Sequence, residues 1–172
     1  ISAFGQTGPR AQEGGYDLTV QAIAGVMSVT GEMDGPPVKC GVPLADFSAG
    51  LYAAFAIVSA LRRLERDGVG DHIDVSLLGA TLGIAALQTS EYFGTGRAPV
   101  KLGSAHPRNA PYQAFRAQDG WFALAAGNDR LWQLVCQGIG REALFDDERF
   151  RTTALRARNQ VVLRDLLEAE FG

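Results

Sequence analysis

The stretch Ala45-Asp46-Phe47-Ser48-Ala49-Gly50-Leu51-Tyr52-Ala53-Ala54-Phe55-Ala56-Ile57-Val58-Ser59-Ala60-Leu61-Arg62-Arg63-Leu64-Glu65-Arg66-Asp67-Gly68 decides the fold class of this 172-residue chain. Phe47, Leu51, Ala54, Phe55, Val58, Leu61 and Leu64 recur at three- and four-residue steps. That period predicts one long helix over about 47–67, with a single apolar stripe turned to a core. Ala49, Gly50, Ala53, Ala56 and Ala60 keep the other faces small, so neighbours can approach closely. Arg62, Arg63 and Arg66 crowd the last turns, where cations suit the negative end of the helix dipole. Gly68 supplies the stop.

Working outward, His72 to Leu77 alternates polar and apolar residues, the pattern of a strand with one buried face, and Leu78 to Phe93 reads as a second helix. On the other side, Ile1 to Phe4 reads as the end of a strand running into the turn Gly5-Gln6-Thr7-Gly8-Pro9. Asp17 is placed to cap a helix that carries Leu18, Val20, Ala22 and Ile23. Strands alternating with helices predict an α/β layer with parallel strands. Gly94 to Pro111 is rich in Gly and Pro and reads as a linker or an active-site loop. A hairpin follows, with Tyr112 to Phe115 and Trp121 to Ala126 flanking Asp119-Gly120, and then helices near Asp129 to Gln137 and Asn159 to Glu170. Trp121 and Trp132 are expected in the core. A domain boundary is expected near residue 97, dividing 1–96 from 97–172. Both ends read as cuts through a longer protein, since the chain opens without Met on an apolar segment and closes on a helical pattern.

Composition narrows the class. An apolar fraction of 47% with 20% charged residues is that of a folded domain, not a disordered tail. A net charge of −3 gives no positive field for a phosphate backbone, so no nucleic-acid partner is expected. The run Leu51 to Leu61 is too short to cross a bilayer, and no membrane association is expected. Cys40 and Cys136 fit no metal or redox spacing and read as reduced thiols of an intracellular, cytoplasmic protein, with mitochondrial or peroxisomal residence open. Dinucleotide, P-loop and nucleophile-elbow glycine motifs are missing. His72 and His106 have no partner at metal-ligand spacing, so no metal is expected.

Three places remain where chemistry can sit. Asp46 stands at a helix start between an apolar entry and an apolar helix, which predicts a partly buried carboxylate. The dipole favours its ionised form, and such a carboxylate can attack an acyl group or move a proton. Spacing alone favours the ordinary cap over the chemical role. Gly14-Gly15-Tyr16-Asp17 repeats the theme, either as backbone open to a ligand or as a turn and cap. Gly103-Ser104-Ala105-His106-Pro107 reads as a mobile lid with a polar tip, or as an exposed loop.

Several blocks occur in one order: Ile1 to Pro9; Gly15-Tyr16-Asp17 with Gln21-Ala22; Gly25 to Gly31; Gly35-Pro36-Pro37; and Ala45-Asp46 with Gly50, Ala60-Leu61, Gly70 and Val75 to Leu78. Together they resemble the class III CoA-transferases, the family that also holds formyl-CoA transferase, carnitine CoA-transferase and α-methylacyl-CoA racemase. The resemblance implies a fold in which this chain is the later part of a Rossmann-like large domain followed by a smaller α/β domain, within an interlocked homodimer. It implies acyl-CoA and a carboxylic acid as substrates, with coenzyme A as substrate and no tightly bound cofactor. By the same resemblance Asp46 is the nucleophile that carries an aspartyl-CoA thioester. Glu13, Gly14, Gly15 and Tyr16 match backbone that contacts CoA, and Asp17 matches an acid near the reacting centre. Gly103, Ser104, Ala105 and His106 match a glycine-rich substrate loop from which they depart in composition. In the racemase branch a His pairs with the Asp as a two-base shuttle, and Tyr16 takes that position here. A phenol in isolation titrates near about 10, far from a neutral-pH base, so transfer is favoured over racemisation or epimerisation. A relative that binds CoA esters without turnover is the remaining alternative.

Overall fold

A computed structural model describes residues 1–172, which divide into two compact units, Ile1–Lys101 and Leu102–Gly172. The first unit is helical: α1 (Asp17–Ile23), α2 (Val26–Val29), α3 (Leu44–Asp67), α4 (Leu77–Ile84) and α5 (Ala86–Thr95). The second opens on an antiparallel hairpin, β1 (Tyr112–Ala117) and β2 (Gly120–Ala125), followed by α6 (Asp129–Gly138), α7 (Ala143–Asp146), α8 (Thr153–Arg158) and α9 (Gln160–Phe171).

The expected parallel sheet is not formed in this chain. Ile1 to Phe4 and His72 to Leu77 meet through a single parallel bridge, Ser2 to Ser76. The Ser2 N–H donates to Val75 O at 3.1 Å, and Leu77 N–H returns to Ser2 O at 2.9 Å. Ile73 and Val75 are half-buried while His72 and Asp74 are exposed, so the two-residue alternation survives in a segment that has too little pairing for a ladder. Ser76 then caps α4, its hydroxyl accepting from Gly79 N–H at 3.0 Å. The single helix expected over 78–93 breaks at Ala85 into α4 and α5.

Helix α3 stops where predicted but begins three residues earlier than expected, at Leu44. Gly68 turns it off in the left-handed region at φ 70°, its N–H on Leu64 O. The buried face is the opposite of the one expected. Ala45, Ser48, Ala49 and Ala53 are buried, and Ala45 and Ala49 pack with Val20 of α1 and with Leu77 and Ala80 of α4. Phe47, Leu51, Phe55 and Val58 are 63–78% exposed. Small side chains let three helices close on one another, and that contact selects the alanine face. The 24 residues also have the length and apolar content of a membrane span, although their alanine face is used inside the unit.

In the second unit the hairpin forms with Ala117 opposite Gly120, so the two-residue loop is Gln118-Asp119, one position before the expected turn. Phe115, Trp132, Cys136, Phe150, Leu163 and Leu167 form the core. Each large apolar side chain buried there contributes roughly 1.5–3 kcal/mol. Trp121, expected inside, is 68% exposed on β2. Arg156 is wholly buried, and each guanidinium nitrogen has an acceptor: it donates to Ala110 O, Phe150 O, Thr153 Oγ1 and Asp129 Oδ1 at 2.7–3.0 Å. Those bonds satisfy a charge that would otherwise be costly in an apolar interior.

Candidate active site

Asp46 is the third residue of α3, inside its first turn, and not its cap. Pro43 occupies the cap position without a side-chain bond. Carbonyl and carboxylate groups take the leading N–H groups: Leu44 N–H is on Val42 O at 2.7 Å and Ala45 N–H on Asp17 Oδ1 at 2.9 Å. The Asp46 carboxylate is exposed in this chain, not partly buried as expected, and carries no hydrogen bond or ion pair. It stands at the flank of the alanine face, where neither α1 nor α4 covers it.

Asp17 proves to be the organiser of this corner. Tyr16, extended at φ −102° and ψ 168°, takes the cap position of α1, and Asp17 lies one residue inside. Its side chain is 8% exposed, and both oxygens are occupied: Oδ1 by Ala45 N–H, Oδ2 by Gln21 Nε2–H at 2.7 Å. Gln21, wholly buried, accepts Cys40 N–H on Oε1 at 2.9 Å. An acid of α1 thus caps α3, and an amide of α1 ties in the loop that leads to it. Sequence reading placed Gln21 only within a motif. The signal available was the i,i+4 spacing of Asp17 and Gln21, which sets both on one helix face.

The residues before α1 are mixed in exposure. Gly14 is open, while a Cβ on Gly15 would meet Ala3 Cβ at 3.0 Å, a tight contact that Ala3 would have to ease by a few tenths of an ångström. Tyr16 is 87% exposed. Glu13 is bound by Arg10 through Nη2 at 2.6 Å and Nε at 2.9 Å, and that bond holds its carboxyl below the usual range. Arg10 also stacks over Phe4 at 4.1 Å. A cavity of about 350 Å³ lies in the same unit, lined among others by Val26, Leu44, Ile84, Gln88 and Tyr92; none of the residues predicted for the site lines it.

In the second unit the segment Gly103 to His106 is stitched, not a loose lid. Ala105 N–H bonds Leu102 O at 3.0 Å, Ser104 Oγ accepts Ala114 N–H at 3.0 Å, and His106 N–H reaches Tyr112 O at 3.0 Å. His106 is half-buried, its ring edge-on to Tyr112 at 5.2 Å. Nδ1 accepts from both Arg108 N–H and Asn109 N–H at 3.1 Å. A nitrogen that accepts cannot carry the proton of the neutral ring, so in that form these bonds place the proton on Nε2. Gly103 turns the chain at φ 60°.

The sequence matches the family described as CoA-transferase family III along residues 1–172. The chain belongs to CoA-transferase family III. It is 43% identical over 170 residues to the succinate–glutarate CoA-transferase of Agrobacterium fabrum, covering 99% of this chain and 42% of that protein. It is 42% identical over 168 residues to the acetyl-CoA:oxalate CoA-transferase of Acetobacter aceti, covering 97% and 43%. A crystal structure of a CAIB/BAIF family protein from Brucella suis superposes with TM-score 0.79 at 42% identity, over 99% of this chain and 45% of that one. The chain therefore spans about two-fifths of the length of these family III relatives, and its mixed helix and sheet architecture is that of the CAIB/BAIF structures.

Proposed function

We propose that the full-length protein carrying this chain moves CoA from an acyl-CoA donor to a carboxylic acid acceptor, with Asp46 as the nucleophile. The observation that carries the reading is the Asp46 carboxylate: in the first turn of α3, exposed, and free of any partner that would have to be displaced. The names of the relatives, which print succinate, glutarate, acetyl-CoA and oxalate, support small carboxylic acids and their CoA esters as substrates.

The steps balance without a redox partner. The Asp46 carboxylate attacks the donor thioester carbonyl and expels CoA thiolate, leaving a mixed anhydride. The thiolate attacks the Asp46 carbonyl of that anhydride, releasing the donor acid and forming the aspartyl-CoA thioester. The acceptor carboxylate attacks this thioester in turn and expels CoA thiolate, leaving a second mixed anhydride; the thiolate then attacks the acceptor carbonyl of that anhydride, which forms the acceptor CoA thioester and releases the Asp46 carboxylate. The backbone of Glu13 to Tyr16 is assigned to CoA contacts, and the Gly103 to His106 segment to the acyl or acceptor group, where His106 Nε2–H is a donor for a carbonyl or carboxylate oxygen. The assembly proposed is an interlocked homodimer in the cytoplasm.

The test is Asp46→Ala in the full-length protein. Transfer is expected to vanish while CoA affinity stays within about threefold of wild type, the signature of a group used in the reaction and not in ground-state binding. Unaltered transfer overturns the assignment. Exchange of the substrate α-proton with deuterated solvent, in the absence of any acceptor acid, replaces it with racemisation or epimerisation. CoA binding with neither outcome replaces it with a binding protein.

A further inference from the structure

We infer that Gln21 is a positioning residue for Asp46, acting through Asp17. The inference rests on the proposed role of Asp46. Gln21 is wholly buried, so it touches no substrate, yet its amide is used at both ends: Nε2–H on Asp17 Oδ2 and Oε1 on Cys40 N–H. The polarity is forced. An ionised carboxylate can only accept and a backbone N–H can only donate, so the side chain between them must offer one donor and one acceptor. Gln does this at the required length, and Asn is a methylene shorter.

The relay ends next to the chemistry. Asp17 Oδ1 holds the N–H of Ala45, the residue before Asp46. A carboxylate with one oxygen fixed by Gln21 has one orientation left for the other, so the Gln21 amide sets where the backbone of Asp46 lies. The Cys40 bond ties the approach to α3 into the same relay. Displacement of a reacting group by 1 Å costs on the order of a hundredfold in rate.

The relay can be reversed on paper, which supplies the experiment. In Asp17→Asn the new Nδ2 faces Gln21 Nε2, donor against donor. In Gln21→Glu two carboxylates face one another. In the double variant Asp17→Asn/Gln21→Glu every bond has a partner again: Asn Oδ1 for Ala45 N–H, Asn Nδ2–H to one Glu oxygen, and the other Glu oxygen for Cys40 N–H. Gln21→Met removes both bonds with little change in volume. In the full-length protein, Gln21→Met and both single exchanges are expected to lower kcat on the order of a hundredfold, with KM for acyl-CoA within about threefold. The double exchange is expected to recover kcat to within about tenfold of wild type. Wild-type kcat in Gln21→Met overturns the inference. So does a double variant no better than its parents, because the charge at position 17 would then be needed where it is. Should either single exchange fail to fold, Gln21→Met and the double variant decide alone. The wild-type sample reports separately on Asp46: a wild type that acquires no acyl-CoA-dependent adduct there removes the nucleophile reading itself, whatever the variants do.

Discussion

Ala45 donates its backbone N–H to Asp17 Oδ1 at 2.9 Å, so the acid in the first turn of α1 caps α3 at a residue 28 positions further along the chain. The cap is supplied from outside because Pro43, at the cap position of α3, has no side-chain acceptor. Asp17→Ala leaves Ala45 N–H and Gln21 Nε2–H without partners in a buried corner. The expected loss is about 2–4 kcal/mol of unfolding free energy, from two bonds to the carboxylate whose donors are left stranded. Denaturant unfolding of the full-length protein checks it, and a loss below about 0.5 kcal/mol would mean that water replaces the carboxylate without cost.

How much of this was legible in the sequence depends on the distance over which each residue acts. The existence of α3 and its stop at Gly68 follow from local period and a local glycine, and both are found, while its start lies three residues before the expected one. Which face of α3 is buried is not a local property: the stripe of Phe47, Leu51 and Phe55 is as apolar as any core face, but α1 and α4 close on the alanines. The strand at His72 to Leu77 has the right alternation and, within the chain, a neighbour only at Ser2. Asp17 reads as a cap, which is correct in kind, but the helix it caps is α3 and not its own. His106 looked like an exposed side chain because its two donors, Arg108 and Asn109, are backbone groups that no residue pattern advertises.

The exposed face of α3 has a consequence for the 172-residue chain made on its own. Contiguous apolar surface of this kind drives association. The chain is expected to self-associate and bind an apolar dye. Leu51→Lys with Phe55→Lys is expected to reduce both without loss of helix content, because neither residue packs against α1 or α4. Light scattering and circular dichroism read the two effects; a monomeric, dye-free parent chain would contradict the reading.

Cys136 gives a pH signature. It is wholly buried, and burial pushes its thiol from an ordinary value near 9.0 up to about 11. The unfolded chain loses this proton near pH 9 while the folded chain keeps it to about 11, so stability is complete below pH 9 and falls as pH rises through that window. Cys136→Ala is expected to flatten the alkaline limb relative to the parent between pH 9 and 11. An identical limb in both proteins would show that burial does not raise the thiol.

The stitch at His106 predicts a local effect. His106→Ala removes the acceptor of Arg108 N–H and Asn109 N–H, each worth about 0.5–1.5 kcal/mol, so these amides are expected to exchange about three- to tenfold faster. The core amides of α6 and α9 are expected to be unaffected. Hydrogen exchange read peptide by peptide separates this from a general loss of stability, which would speed both regions together.

The central claim concerns where the acyl-CoA bond is made. Full-length protein incubated with an acyl-CoA, quenched with hydroxylamine and digested should yield one modified peptide, the one containing Asp46, with the hydroxamate on that side chain. Modification at another residue, or none while transfer to an acceptor acid proceeds at the normal rate, would contradict it.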